Sequence, residues 1–193
     1  PYGNTKQIGE EIIRDTCKVR GQLRAIALRY FNPIGAHPSG RIGELPLGVP
    51  QNLVPFITQT AIGIREQLSV YGNDYPTPDG TCIRDYIHVV DLARAHVVAL
   101  QRLLSGKNEG NYEIFNVGTG QGSSVLEVIQ SFEQVSGVPL NYKIVGRRPG
   151  DITEAYADTT RANEVLGWKA QSSLDDAMKS AWAWEQEIRK TSK

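Results

Sequence analysis

The chain has 193 residues, of which 40% are hydrophobic and 22% are charged, and its 21 basic side chains balance its 21 acidic ones. This composition is typical of a globular protein, and zero formal charge without a basic run argues against binding to nucleic acid or to an anionic membrane. No apolar run is long enough to predict a membrane span. The isolated thiols Cys17 and Cys82 and three scattered histidines predict no metal site and a cytoplasmic location.

The first predicted helix carries a tyrosine and a lysine four residues apart. Pro1 suits a first helical turn, and Ile8 and Ile12 recur at helical spacing, so Tyr2 and Lys6 share one face. An ammonium beside a phenol favours the phenolate. A Tyr-x-x-x-Lys pair arises easily by chance, so it indicates a catalytic pair only together with the motifs that follow.

Residues 24–31 form an apolar run that predicts a buried parallel strand. A helix followed by a buried strand is half of a βαβ pattern, and ligands of doubly wound sheets lie beyond the carboxyl ends of the strands. Tyr30, Asn32 and Pro33 are therefore candidates for a site. On local grounds alone, Asn32-Pro33 is better interpreted as a plain turn dipeptide.

Residues 34–50 are rich in Gly and Pro and predict a long loop of a kind that is often functional. Asn52 is predicted to cap a helix that continues to about Arg65, and the free amides at Asn52 and Leu53 suit an anion. A short strand is predicted over residues 68–71.

A strand over residues 86–90 and a helix capped by Asp91 are predicted next. Asp85 and His88 border these apolar elements, and a local salt bridge and a hydrogen-bonded structural histidine explain them best. Arg84 is the better candidate for contact with a ligand.

Residues 112–117 predict a second buried strand, which ends in the glycine-rich turn 118–122. The G-x-G-x-G spacing differs from the dinucleotide-binding G-x-G-x-x-G, and no acidic residue follows about 20 positions later at a strand end. We interpret it as a tight strand-to-helix turn. Ser124 then opens a capping box for a helix that ends at Gly137.

A strand over residues 141–145 leads into Arg147, Arg148 and Asp151. Guanidinium groups match phosphate oxygens, so this segment predicts a clamp for a diphosphate and a hydroxyl, with a surface basic pair as the alternative. Two final helices are predicted over residues 160–166 and 174–189, the second opened by Ser173.

Seven motifs, in order, resemble the UDP-glucose (UDP-galactose) 4-epimerase family of the extended short-chain dehydrogenases/reductases: Y-G-N-T-K, R-Y-F-N-P-I-G-A-H, N-L-V-P, V-Y-G-N-D-Y, G-T-C-I-R-D-Y-I-H-V-V-D-L-A, N-V-G-T-G and R-R-P-G-D. The resemblance implies an α/β fold: the tail of a doubly wound, NAD-binding Rossmann sheet over residues 1–33 and a smaller sugar-nucleotide-binding lobe over 34–193. Strand 112–117 is expected to rejoin the Rossmann part or its edge.

The same resemblance implies NAD-dependent interconversion of UDP-glucose and UDP-galactose through transient oxidation at C4. Tyr2 matches the family's catalytic base, and Lys6 matches the residue that holds the nicotinamide ribose. Tyr30 and Pro33 would lie beside the nicotinamide.

For the UDP-sugar, the resemblance implies contacts from nine residues. Asn32 would contact the sugar diphosphate, Asn52 and Leu53 the nucleotide, Ser69 and Tyr71 the uracil, Arg84 and Arg148 the diphosphate, and Asp151 the uridine ribose. Ala155 would adjoin the sugar 2-substituent, and its small side chain predicts that UDP-GlcNAc and UDP-GalNAc are also accepted.

The family's N-terminal half, with its glycine-rich phosphate turn, has no counterpart in this sequence. We therefore expect a C-terminal portion that needs the missing Rossmann half as a partner, is inactive alone and forms a homodimer. The alternatives are another nucleotide-sugar enzyme of the same family, such as a 4,6-dehydratase or UDP-glucuronate 4-epimerase, and a non-catalytic UDP-sugar-binding module.

Overall fold

A computed structural model describes residues 2–191, and it describes side chains for residues 2–190, so the predicted role of Pro1 lies outside it. The fold is mixed α/β, as predicted. Its helices are α1 (Tyr2–Val19), α2 (Leu53–Ala61), α3 (Val89–Leu104), α4 (Val125–Ser136), α5 (Leu174–Thr191) and a π-helix (Ala162–Leu166). Its strands are β1 (Ala25–Tyr30), β2 (Asn32–Ile34), β3 (Leu68–Tyr71), β4 (Ile83–Arg84), β5 (Tyr86–His88), β6 (Tyr112–Val117), β7 (Ser123–Ser124), β8 (Tyr142–Val145) and β9 (Glu154–Ala155).

The described strands pair mostly in parallel, between segments that are distant in sequence. β1 pairs with β6, β2 with β5 and β3 with β8, while β4 lies between the antiparallel β7 and the parallel β9. Parallel pairs need covered faces, and helices pack beside these strands. None of the described helices is both long and apolar enough to cross a membrane.

One hydrophobic core lies between α3, β6 and the π-helix. Phe115 and Val117 on β6 are buried against Ala95 and Ala99 of α3. The buried Glu113 on the same strand is paired with Arg102 of α3 at 2.8 Å, which satisfies a carboxylate that would be costly to bury alone. This core fixes β6, and through the parallel pairing it fixes β1.

A second hydrophobic core is formed by side chains of α2, β3, α4 and α5. Ile57 of α2, Val70 of β3, Phe132 of α4 and Met178 of α5 are almost fully buried in it. Trp182 packs edge-on against Phe132, with ring centroids 5.5 Å apart. The start of α2 and the end of β3 are thereby held beside each other.

Two local predictions are wrong. Asn32-Pro33 is not a turn but part of β2, because the Asn32 N–H donates to the Asp85 carbonyl and the strand pairs with β5. Asp91 does not cap α3; His88 does, and Asp91 instead accepts main-chain N–H bonds from Gln171 and Ser172.

The second predicted helix is also shorter than expected. α2 ends at Ala61 rather than near Arg65, and the chain turns through Gly63, whose φ of +85° favours glycine. Asn52 is the N-cap residue, but its side chain makes no capping bond and donates to Glu44 at 2.7 Å.

His88 joins three segments through its imidazole ring. Its Nδ1 accepts from the Val90 N–H at 3.0 Å, so the ring proton is on Nε2, which lies 3.2 Å from Ser180 Oγ. That hydroxyl also accepts from the Ala36 N–H and donates to the Ala177 carbonyl. The arrangement satisfies neutral His88 and leaves no acceptor for a second ring proton.

We predict that His88 makes the chain less stable as the pH falls. Burial lowers the pKa of His88 below 6.5, although Asp91 and Asp176 oppose this. Between about pH 7 and pH 5.5 the unfolded chain therefore binds more protons than the folded chain, so the free energy of unfolding decreases as the pH is lowered. We expect H88N to lower this free energy by about 1 kcal/mol at neutral pH but to flatten its pH dependence.

Urea unfolding at the two pH values measures both effects. An H96N variant is the control, because His96 is exposed and should keep the wild-type pH dependence. An H88N variant with an unchanged pH dependence would contradict the prediction.

Candidate functional site

A cavity of about 570 Å³ lies where β2, β3, β4 and β5 meet the start of α2. Its walls are both polar and apolar, and its size suits a ligand of nucleotide dimensions. The sequence-predicted residues that line it are Asn32, Pro33, Asn52, Leu53, Ser69, Tyr71, Arg84, Arg148 and Asp151. Eight of the nine predicted substrate residues are thus brought together at one site.

The first turn of α2 and the end of β3 line part of the cavity. Because the Asn52 side chain does not cap α2, main-chain amides of the first turn are left for another acceptor. Tyr71 is half exposed at the end of β3. These groups provide hydrogen-bond donors next to an aromatic ring.

Two arginines also line the cavity. Arg84 donates to the carbonyl of its neighbour Ile83 at 2.8 Å, and it has no carboxylate partner among residues 2–190. Arg148 is paired with Asp151 at 2.8 Å, which raises the pKa of Arg148, and lies 5.4 Å from the Tyr71 ring centroid. The cavity therefore has a net positive wall that suits an anion.

Arg147, the other half of the predicted arginine pair, belongs elsewhere. It is paired with Asp74 at 2.7 Å and stacks on the Tyr75 ring, 4.1 Å from the centroid. Only one member of the adjacent pair therefore faces the cavity, and its companion in the wall is Arg84, more than 60 residues earlier.

Tyr86 is a cavity residue that the sequence reasoning missed. Burial raises its pKa to about 12, so its hydroxyl remains protonated at neutral pH and can donate a hydrogen bond but not act as a base. The period-2 alternation of a strand was the available signal, since Arg84 and Tyr86 are two residues apart.

Phe56 and Gln51 also line the cavity without having been predicted. Phe56 is one helical turn after Asn52, so helical spacing could have found it. Gln51 sits in the loop before α2 and had no local signal. The buried thiol of Cys82 lines the cavity as well.

Four predicted site residues do not line the cavity. Tyr2 is 75% exposed near the start of α1, with the Lys6 ammonium 5.1 Å from its ring centroid, so the two share a face. Tyr30 ends β1, and its ring lies 6.5 Å from the His96 ring. Ala155 on β9 is opposite Arg84 in the pairing with β4.

Asp85, predicted to form a local salt bridge, has no ion pair among the described residues. Its carboxylate is fully buried and accepts hydrogen bonds from main-chain amides of Thr119, Gly120 and Ala157. No group of three or more potential metal ligands occurs within the part of the chain that the structure describes.

Comparison with known proteins gives consistent relatives. A UDP-glucose 4-epimerase of Bacillus subtilis is 51% identical over 185 residues, which is 96% of this chain and 54% of that protein. A crystal structure of UDP-glucose-4-epimerase from Stenotrophomonas maltophila, with bound NAD and formylated UDP-arabinopyranose, has a TM-score of 0.94 and 48% identity. The superposed region covers 99% of this chain and 56% of the Stenotrophomonas chain.

A second structure, UDP-glucose 4-epimerase from Bifidobacterium longum in complex with NAD+ and UDP, has a TM-score of 0.91 and 46% identity, covering 98% of this chain and 55% of that one. The chain spans about half the length of the curated relatives it matches. These findings confirm the predicted resemblance and the predicted fold class.

A family model described as GDP-mannose 4,6 dehydratase matches residues 1–181. The match covers most of the chain, which therefore belongs to the GDP-mannose 4,6-dehydratase family and is similar to proteins named UDP-glucose 4-epimerase.

Proposed function

We propose that this chain is the sugar-nucleotide-binding part of an NAD-dependent UDP-glucose 4-epimerase. The observation that carries the proposal is the net positive charge of the cavity wall. Arg84 and Arg148 are distant in sequence but line the same cavity, and Arg84 has no carboxylate partner among residues 2–190. A dianionic diphosphate is the ligand group that two arginines from separate segments match best. The cavity volume of about 570 Å³ is in the range of sites that hold small-molecule ligands.

The remaining lining residues are assigned to parts of a UDP-sugar. Arg84, Arg148 and Asn32 would bind the diphosphate, and Asp151 would accept from the uridine ribose. Ser69 and Tyr71 would flank the uracil, and the amides at Asn52 and Leu53 would bind the nucleotide. Tyr86, protonated at neutral pH, would donate a hydrogen bond to the substrate.

The chemical step would be carried by the exposed pair on α1. Tyr2 would take the proton of the sugar 4-hydroxyl and later return it. Lys6 would hold the nicotinamide ribose, and its ammonium group would lie beside the Tyr2 phenol. Bound NAD would supply the group that accepts hydride from C4 of the sugar and returns it to the opposite face of that carbon. Both side chains suit this role, because they are exposed together and Lys6 has no carboxylate partner among the described residues.

The proposal includes the organisation of the whole enzyme. Residues 1–33 would belong to the NAD-binding Rossmann domain together with strand β6, which pairs with β1, and residues 34–193 to the substrate lobe. The other Rossmann half would be the partner. A homodimer is part of the proposal because α3 exposes the apolar side chains of Val97, Leu100 and Leu104. A cytoplasmic location is also part of it, because the two cysteines are free.

We predict that the chain binds UDP through Arg84. Because hydrogen bonds to charged groups contribute about 1.5–3 kcal/mol, R84M should weaken UDP binding by roughly tenfold to a hundredfold. Calorimetric titration with UDP measures the change. R147M is the matched control, because Arg147 is paired with Asp74 away from the cavity and should leave the affinity unchanged. Equal effects of the two substitutions would count against the assignment.

We predict that turnover needs the other half of the enzyme. The purified chain should bind UDP but show no epimerisation of UDP-galactose, and addition of the N-terminal half of the Bacillus subtilis relative should restore activity. A Y2F substitution should then remove the restored activity while leaving UDP affinity intact, because the tyrosine is not in the cavity lining. Full activity of the chain alone would refute the prediction, and UDP binding without turnover in both cases would favour a non-catalytic module.

We predict that Ala155 sets tolerance for an N-acetyl group on the sugar. Residues opposite each other in neighbouring strands share a face, so a large side chain at 155 would occupy the side on which Arg84 lies. A155Y in the reconstituted enzyme should reduce activity on UDP-GlcNAc at least about tenfold more than activity on UDP-galactose, since a single steric clash readily exceeds 1.4 kcal/mol. A155S is the control, and an unchanged activity ratio in A155Y would overturn the prediction.

A further inference from the structure

Asp85 is a buried carboxylate that the proposed chemistry does not use. It is fully buried, yet it lies between Arg84 and Tyr86, both of which line the cavity. Its carboxylate oxygens accept from the N–H groups of Thr119, Gly120 and Ala157 at 2.9–3.1 Å, and from the Thr119 hydroxyl at 2.7 Å. The three main-chain partners can only donate, so the site suits a carboxylate acceptor.

The glycine-rich turn after β6 is built around this side chain. A Cβ atom added at Gly118 would lie 2.4 Å from Asp85 Oδ2, so only glycine permits the carboxylate to come this close. The turn resembles a loop that binds the phosphate of a ligand, but its amide donors are directed at the protein's own carboxylate. Its converging N–H groups therefore have a structural anion, and they are not available to a nucleotide.

The main chain of Asp85 is bonded to two predicted substrate residues. Its N–H donates to the Ala155 carbonyl at 3.1 Å, and its carbonyl accepts from the Asn32 N–H at 3.0 Å. Side chains alternate along an extended chain, so anchoring Asp85 on one face directs Arg84 and Tyr86 to the other. The main chain of Asp85 thus joins Asn32, which lines the cavity, to Ala155 on β9.

We infer that Asp85 is a positioning residue, which aligns Arg84 and the segment of Ala155 with a bound nucleotide sugar through its grip on the turn after β6. This inference rests on the proposed UDP-sugar site. Asp85 touches no cavity surface itself, and its effect passes through Arg84 on one side and through the amide of Ala157, two residues after Ala155, on the other. A neutral side chain of the same shape would present N–H groups to N–H groups, and the turn would shift.

The test compares UDP with uridine, because only UDP needs the diphosphate wall. In calorimetric titrations of the full 193-residue chain, D85N should weaken UDP binding about tenfold and change uridine binding less than about twofold, since misaligning one charged partner costs the contact made by that charge. A loss confined to UDP separates positioning from general destabilisation, which would weaken both ligands.

Asp91 provides a matched control. It is also a buried carboxylate that accepts two main-chain N–H bonds, from Gln171 at 3.0 Å and Ser172 at 2.8 Å, but it does not line the cavity. D91N should lower the unfolding temperature as D85N does, and should leave both affinities unchanged.

A T119V variant covers the case in which D85N does not fold. It removes the hydroxyl next to Asp85 Oδ1 and keeps the main-chain donors, so it should weaken UDP binding about threefold and spare uridine. A wild-type ratio of UDP to uridine affinity in D85N, or in T119V if D85N is unfolded, would overturn the inference. Absence of UDP binding by the wild-type chain would instead refute the proposed function.

Discussion

The hydrogen bonds to the buried Asp85 carboxylate are the interaction on which the arrangement of the chain depends. They join the turn after β6, which is anchored to β1 by parallel pairing, to the segment after β9 and to the crossing between β4 and β5. β6 belongs to one small sheet, β5 to another, and β4 and β9 to a third, and among residues 2–191 no single sheet contains all of them. A buried anion with several main-chain donors supplies the alignment that a longer sheet would otherwise give.

Much of the local structure could be predicted because its causes are local. Three helix ends illustrate this: the Ser124 capping box, the left-handed Gly137 at the end of α4, and Ser173 at the start of α5. Each of them depends on a contact between residues only three or four positions apart. Asn32-Pro33 and Asp91 could not be predicted in this way. The strand at Asn32 depends on β5, more than 50 residues later, and Asp91 is engaged by amides some 80 residues away.

The candidate site shows the same division. The resemblance to a family identified Arg84 and Arg148, although no local rule separates Arg148 from its neighbour Arg147. That choice is made by Asp74, 73 residues earlier, which pairs with Arg147 and removes it from the cavity. Tyr86 was within reach of strand periodicity, whereas Gln51 is positioned only by the tertiary fold. Spacing predicts which residues share a face, and distant partners decide which of them face a ligand.

Within the proposed function, binding and chemistry are carried by different parts of the chain. The cavity that would hold the nucleotide is supported by its own core, while Tyr2 and Lys6 stand exposed on α1, outside its lining. Such a division suits a reaction in which the sugar must turn over after it loses hydride, because the nucleotide end has to stay bound while the reacting end moves. Interactions with the non-reacting diphosphate and uridine can hold an oxidised sugar in place without fixing either of its faces. The small Ala155 beside the Arg84 strand is consistent with that freedom, since a crowded wall there would restrict the sugar while adding nothing to the grip on the nucleotide.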